Sequence, residues 1–139
     1  MPAETVIAFD FGMKYIGVAV GQTVTATANP LPSLKARDGI PDWHQLEKLL
    51  NEWRPARLVV GLPLNMDGTA STLSQRAERF SRQLHGRFKL PVETVDERLS
   101  SFEARGEILH QQHSRDFKRH NVDGLAAKLI LESWMAGAG

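Results

Sequence analysis

Two acidic residues stand where a carboxylate is costly to place, and a third opens the last helical pattern of the chain. Asp10 directly follows the apolar run over 5–9, and Glu97 comes just after a second apolar run over 91–95. A carboxylate at the end of a buried strand is unfavourable unless a partner neutralises it, and a divalent cation with oxygen ligands from separate elements is such a partner. Asp123 opens the last apolar pattern of the chain, where a helix dipole favours an acid. We predict a metal site built from Asp10, Glu97 and Asp123.

Each acid also has an ordinary structural interpretation, and spacing alone does not show that the three converge. Taken alone, Asp123 is better explained as a first-turn helix acid. Glu97 could pair with Arg98 in a surface turn. Asp10 could be a turn residue beside Gly12, although its position at the end of a buried strand disfavours this. Only the combination of the three acids indicates chemistry.

Basic residues adjoin two of these acids. Lys14 lies in the turn after Asp10, and Arg98 directly follows Glu97. Both could contact a phosphate backbone. For Lys14, a solvated hairpin tip is the competing and better interpretation when the residue is considered alone.

A loop and two basic clusters extend the candidate surface for a phosphate chain. The loop over 61–69, which includes Asn65, feeds a helix whose free backbone N–H groups can receive an anion, but it lacks the Gly-Lys-Ser/Thr ending of a P-loop. A plain strand-to-helix connection explains the loop equally well. The two basic clusters are the five basic residues over 76–89 and the group Arg115, Lys118 and Arg119. A solvated helix face and a solvated loop explain these clusters at least as well.

The elements that must position these residues are strands followed by alternating helices and strands. Short links between the first three strands predict an antiparallel meander that ends at Pro30 and Pro32, and crossover helices then predict parallel pairing of the first, fourth and fifth strands. The sequence therefore predicts a five-stranded mixed α/β sheet with helices on both faces. Strands are expected over 5–9, 16–20, 23–27, 58–60 and 91–95, helices over 42–53, 73–84, 100–110 and 123–135, and a polar loop over 111–121.

Composition narrows the class of protein. The 139 residues, 42% hydrophobic and 24% charged with a net charge of +1, are typical of one soluble globular domain, expected over 1–139. The absence of cysteine excludes disulfides, thiolate zinc sites and cysteine nucleophiles. The sequence also lacks a Gly-x-Ser-x-Gly elbow. Because it shows neither a membrane-length apolar run nor a signal-peptide pattern, we expect a cytoplasmic protein without membrane contact.

Four segments in order resemble the YqgF (RuvX) family over nearly the whole chain. They are AFDFGMKYIGVA over 8–19, GLPLNMDG over 61–68, DERLS over 96–100 and VDGLAA over 122–127, followed by ILE over 130–132. The resemblance implies an RNase H-like fold, hydrolase activity on nucleic acid, and a part in ribosome biogenesis through maturation of the 16S rRNA 5′ end. It carries the catalytic acids onto Asp10, Glu97 and Asp123. The family often has lysines just before its last aspartate, where this chain has His120, Asn121 and Val122.

The function expected from the residues and the resemblance is phosphodiester hydrolysis with two Mg²⁺ or Mn²⁺ ions. The expected substrate is precursor rRNA or a pre-ribosomal particle. Holliday junction resolution remains an alternative, and it would require a stable dimer, whereas the sequence leaves monomer and homodimer open. A non-catalytic RNA-binding assembly factor is a further alternative. An actin-like ATPase is disfavoured because such enzymes need two RNase H-like domains, and 139 residues supply only one.

Overall fold

Six strands form one mixed sheet in the computed structural model, which describes residues 4–97 and 116–138, with side chains over 4–97 and 124–137. The strand order is β4-β3-β2-β1-β5-β6. The β1–β5 and β5–β6 pairs are parallel, and the other pairs are antiparallel. This confirms the predicted meander followed by parallel strands. The strands are β1 (Thr5–Asp10), β2 (Tyr15–Gln22), β3 (Thr27–Arg37), β4 (Ile40–Pro41), β5 (Arg57–Leu62) and β6 (Val92–Asp96).

The third strand differs from the prediction, and a sixth strand is added. Residues 23–26 form a turn, and β3 begins only at Thr27. Pro30 and Pro32 therefore lie inside a strand, where they had been expected to end the meander. Proline lacks an N–H and is tolerated at a sheet edge, and in the described part of the chain the outer edge of β3 is paired only by the two-residue β4, at Ala36 and Arg37.

Two helices confirm the predictions over 42–53 and 73–84, and local caps set where they begin. In α1 (Trp43–Trp53) the Asp42 side chain accepts hydrogen bonds from the N–H groups of His44 and Gln45. In α2 (Thr72–Phe88) Ser71 and Ser74 form a reciprocal capping box. Such caps satisfy N–H groups that the first turn of a helix leaves unpaired.

The two faces of the sheet bury separate cores. The first core includes Ile7 and Phe9 of β1 with the apolar faces of α1 and α2, and its centre is Phe80. The Phe80 ring packs 5.6 Å from Phe9 and 5.5 Å from Phe11, centroid to centroid. The second core places Val6 and Ala8 against the last helix. Alternation along β1 thus sends odd-numbered residues to one face and even-numbered residues to the other.

The last helix, α3 (Asp116–Ala138), begins earlier than the apolar pattern indicated. Residues 116–121 had been expected in a polar loop, yet they are helical because no proline or glycine interrupts them and because polar residues such as lysine and arginine form helix readily. Asp123 therefore lies well inside the helix, and its predicted first-turn position is wrong. The helix expected over 100–110 lies outside the described residues.

Arg57 links several elements at the amino ends of the parallel strands. Its guanidinium donates to Glu4 Oε2 at 3.0 Å and to Glu93 Oε2 at 2.6 Å, and it lies 5.7 Å from the centre of the Trp134 ring. The hydrogen bond to Glu4, and after it the one to Glu93, raises the pKa of Arg57. Strands β1, β5 and β6 and helix α3 are thereby joined at the end opposite the acids. Among the helices described, none is long and apolar enough to cross a membrane.

Candidate active site

Asp10 ends the central strand and faces the α3 side of the sheet. It is the last residue of β1 and is partly buried. Because side chains alternate along a strand, Asp10 shares a face with Val6 and Ala8, which pack against α3. The carboxyl ends of parallel strands are the usual location of a functional crevice in an open α/β sheet. The sheet therefore positions Asp10 as the sequence predicted.

Glu97 directly follows β6 and is turned into the protein. Its side chain is only 9% exposed. Among the residues that the structure describes, none donates a hydrogen bond to its buried Oε1 atom. The side chain lies across the end of β5, because a Cβ placed on Gly61 would come within 2.7 Å of Glu97 Oε1. A buried carboxylate oxygen without a donor is unfavourable unless a cation or another partner meets it.

Helix α3 packs against the face of the sheet that Asp10 shares with Val6 and Ala8. The Ile130 side chain reaches Gly61 near the carboxyl end of β5, while Trp134 meets Arg57 at its amino end. The helix is therefore antiparallel to β5. Asp123 precedes Ile130 by seven residues, about two turns, and its neighbour Gly124 packs against β3, because a Cβ on Gly124 would meet Pro30 Cβ at 2.9 Å. The structure describes the backbone of Asp123.

These features fit a hard divalent cation. Carboxylate oxygens from β1, from the segment after β6 and from α3 are the donor type that Mg²⁺ and Mn²⁺ prefer, and the Glu97 oxygen is buried without a hydrogen-bond donor among the described residues. No group of three metal-ligating side chains occurs among those described, a set that leaves out the side chain of Asp123. The fit therefore rests on Asp10 and Glu97.

The predicted phosphate-binding residues have different positions. Lys14 is exposed at the β1–β2 turn. Asn65 is exposed, but its amide donates to Thr69 Oγ1 at 3.1 Å and so holds its own loop together. Its contact with substrate stays a prediction. Lys118 and Arg119 lie in the first turn of α3, where the backbone alone is described, and Arg98 and Arg115 lie outside the described residues.

Two residues near the edge have roles that the sequence did not reveal. Arg76 had been grouped with a basic surface, but its Nη1 atom donates to Asp38 O at 3.2 Å and lies 3.2 Å from Met13 Sδ. It therefore fastens the β1–β2 turn, which carries Lys14, to the β3–β4 turn. Gly61 had been placed in the loop over 61–69, but it lies inside β5, where Glu97 approaches it closely, and a glycine inside a strand can signal such a close approach.

Known proteins match this chain over nearly its whole length. The model of the family described as "RuvX: Holliday junction resolvase" matches residues 4–137. A protein of Actinobacillus pleuropneumoniae serotype 7 (strain AP76), named "Putative pre-16S rRNA nuclease", is 57% identical over 95% of this chain and 96% of its own length. A protein of the same name from Azotobacter vinelandii (strain DJ / ATCC BAA-1303) is 58% identical over 94% of this chain and 92% of its own.

Among solved structures, the chain is similar to "T. thermophilus RuvC in complex with Holliday junction substrate". The TM-score is 0.54 at 16% identity, over 97% of this chain and 96% of that one. At this identity the likeness concerns the fold alone. It confirms the predicted RNase H-like class, with six strands in place of five.

Proposed function

The chain belongs to the RuvX family and is a nuclease, and from this premise we propose that it is a metal-dependent endonuclease that processes the 5′ end of pre-16S rRNA. The observation that carries the metal dependence is the buried Glu97 oxygen without a donor among the described residues, on the sheet face that Asp10 also faces. The names of the relatives support the choice of substrate. Action in the cytoplasm on a pre-ribosomal particle, by a single domain over 1–139, is part of the same proposal.

The chain's own residues would hold and orient the reacting groups. Two Mg²⁺ or Mn²⁺ ions, when bound, supply a nucleophilic hydroxide and stabilise charge on the leaving oxygen. Asp10 on the central strand would serve both ions, and Glu97 and Asp123 would each complete the ligand set of one. Ile130 Cδ1 and Glu97 Oε1 lie 2.5 Å and 2.7 Å from the position that a Cβ on Gly61 would take, so an apolar side chain borders the Glu97 carboxylate.

Basic residues around this edge would bind the phosphate backbone. Lys14 is exposed beside Asp10 on the turn that Arg76 fastens. We propose that it contacts substrate phosphates together with Asn65, Arg98, Arg115, Lys118 and Arg119. Since such contacts release counterions, substrate binding should weaken steeply as salt rises.

A second candidate is cleavage of branched DNA. The family's description and the RuvC structure with its junction substrate favour it. A junction resolvase cuts two symmetry-related strands and therefore requires a dimer with paired sites. A monomer in solution would therefore argue against this second candidate, whereas a dimer is compatible with both.

The decisive experiment compares cleavage of precursor 16S rRNA with cleavage of a four-way DNA junction by the purified protein in Mg²⁺ and in Mn²⁺. Asp10→Asn should abolish cleavage and leave RNA binding largely intact, because it removes a metal ligand from a folded protein. The matched control is Glu93→Gln, an acid on β6 at the opposite edge that pairs with Arg57, and it should cleave normally. Loss of RNA binding together with cleavage in Asp10→Asn would count against this assignment.

Metal-dependent cleavage by the wild-type protein also distinguishes an enzyme from an RNA-binding assembly factor. If the wild type binds precursor rRNA but cleaves neither substrate with either ion, the proposal of a nuclease acting on rRNA is wrong. Preference for the junction together with a dimeric state would favour the second candidate.

A further inference from the structure

A glycine near the end of β5 leaves room for the Glu97 side chain. A Cβ built on Gly61 would lie 2.7 Å from Glu97 Oε1, 2.8 Å from Glu97 Cγ and 2.5 Å from Ile130 Cδ1. All three distances are shorter than real Cβ contacts allow. The space that any other side chain would occupy is already filled by Glu97 and Ile130.

Backbone conformation does not explain this glycine. The described glycines with positive φ are Gly39 and Gly68, so the backbone at Gly61 is one that other residues adopt. It pairs in regular parallel register with Val95 of β6. A glycine inside a strand has a conformational disadvantage, and the close approach of Glu97 is the physical reason for it here.

Gly61 also lies where the three acid-bearing elements meet. Phe9 pairs with Val60, so Asp10 and Gly61 are the next residues along neighbouring strands. The segment that carries Glu97 crosses over Gly61, and Ile130 brings α3, which carries Asp123, against the same point. A methyl group at this position would disturb two of these three elements at once.

We propose that Gly61 is a positioning residue for the Glu97 carboxylate, an inference that rests on the proposed metal-dependent function. To relieve a 2.8 Å contact to an ordinary 3.4 Å, Glu97 Cγ must move by about 0.6 Å. Metal and catalytic constellations need to be held within about 0.5 Å of the productive geometry. Alanine at position 61 should therefore shift the carboxylate far enough to impair its work as a ligand.

The test measures Mn²⁺ affinity by electron paramagnetic resonance of the free ion, together with kcat, KM and urea unfolding. In Gly61→Ala we expect Mn²⁺ affinity and kcat each to fall about 10- to 100-fold, the range seen when groups that orient metal ligands are altered. KM for RNA should stay near the wild-type value, since the substrate-binding residues are untouched.

Two further variants separate positioning from packing. Gly21→Ala is the control for packing, because the three nearest atoms to its Cβ would be Met135 Cε at 2.5 Å and Leu131 Cδ2 at 2.8 Å on α3 and Thr27 O at 2.5 Å on β3. It should lose stability and keep Mn²⁺ affinity and kcat. Ile130→Val removes only the Cδ1 atom that meets position 61. In the pair Gly61→Ala/Ile130→Val, stability should recover while Mn²⁺ affinity and kcat stay low.

Each outcome bears on a distinct claim. Wild-type Mn²⁺ affinity and kcat in Gly61→Ala, beside an inactive Glu97→Gln, would overturn the positioning inference alone. Full recovery of kcat in Gly61→Ala/Ile130→Val would also overturn it, because the effect would then run through the helix. Undiminished Mn²⁺ affinity and cleavage in Glu97→Gln would instead refute the proposed role of Glu97, whatever Gly61→Ala does.

Discussion

Replacing Glu97 by glutamine should make the metal-free protein more stable and inactive. The carboxylate is 9% exposed, and its Oε1 atom has no donor among the described residues. Without a cation, burial of this group opposes folding. Glutamine keeps the shape of the side chain and removes the charge, so the free energy of unfolding should rise while cleavage is lost.

The size of the effect follows from the burial. An unsatisfied buried polar group costs about 1–3 kcal/mol, and more when it is charged. Because the glutamine amide is still polar, we expect recovery of about 1–2 kcal/mol. The entropy of unfolding scales with chain length and is about 0.3 kcal/mol/K for a chain of this size, so Tm in EDTA should rise by about 3–7 °C.

Divalent ions should reverse the order of stability, so that the wild type becomes more stable than Glu97→Gln. At a Mn²⁺ concentration about 100 times its Kd, binding adds about 2.7 kcal/mol to the stability of the wild type, and Glu97→Gln should gain far less. Thermal unfolding of both proteins in EDTA and in Mn²⁺ measures the crossover. Glu93→Gln is the control that should respond to Mn²⁺ like the wild type. A Glu97→Gln protein no more stable than wild type in EDTA would refute the reasoning.

Three further predictions concern the elements around the site. Arg57→Ala should lower the free energy of unfolding by about 1–2 kcal/mol, because it leaves two carboxylates unpaired. The hydrogen bonds of Arg57 raise its pKa, so its contribution to stability is complete below its ordinary pKa and is lost only as pH rises through the raised pKa. Urea unfolding of Arg57→Ala should therefore give the same deficit from neutral to mildly alkaline pH. A deficit that disappears within this range would contradict the assignment. Phe80→Ala, at a ring 1% exposed, should cost about 3–5 kcal/mol in urea unfolding, against less than about 0.5 kcal/mol for exposed Val24→Ala. Lys14→Gln should weaken RNA binding and reduce the salt slope by about 1 in filter-binding titrations, and an unchanged slope would remove Lys14 from the phosphate contacts.

Much of the fold could be predicted because local chemistry sets it. The apolar run before Asp10 predicts a buried strand, and the helix predicted over 42–53 starts at Asp42, whose side chain is the acceptor that caps α1. The order of strands and helices then leaves few topologies, as crossover connections between parallel strands are restricted. The RNase H-like class followed from these patterns together with the family resemblance.

The errors arose where a neighbouring element overrides a local signal. Pro30 and Pro32 normally end a strand, but a strand edge that needs no N–H donor accepts them, and only the sheet shows which edge is free. The start of α3 was misjudged because an apolar pattern marks only the buried part of a helix, and residues 116–121 have Phe117 as their one apolar residue. Asp123 consequently lies within the helix.

The sequence by itself determined the kinds of chemistry open to this protein: acids that end apolar strands, basic residues beside them, and no cysteine. The tertiary structure decided which groups meet. That Glu97 folds over Gly61, that Ile130 closes the same space, and that Arg76 fastens a turn depend on distances between residues 36 to 69 positions apart in the chain. Local propensities act over a few residues, so contacts of this kind exist only once the sheet and its helices have packed.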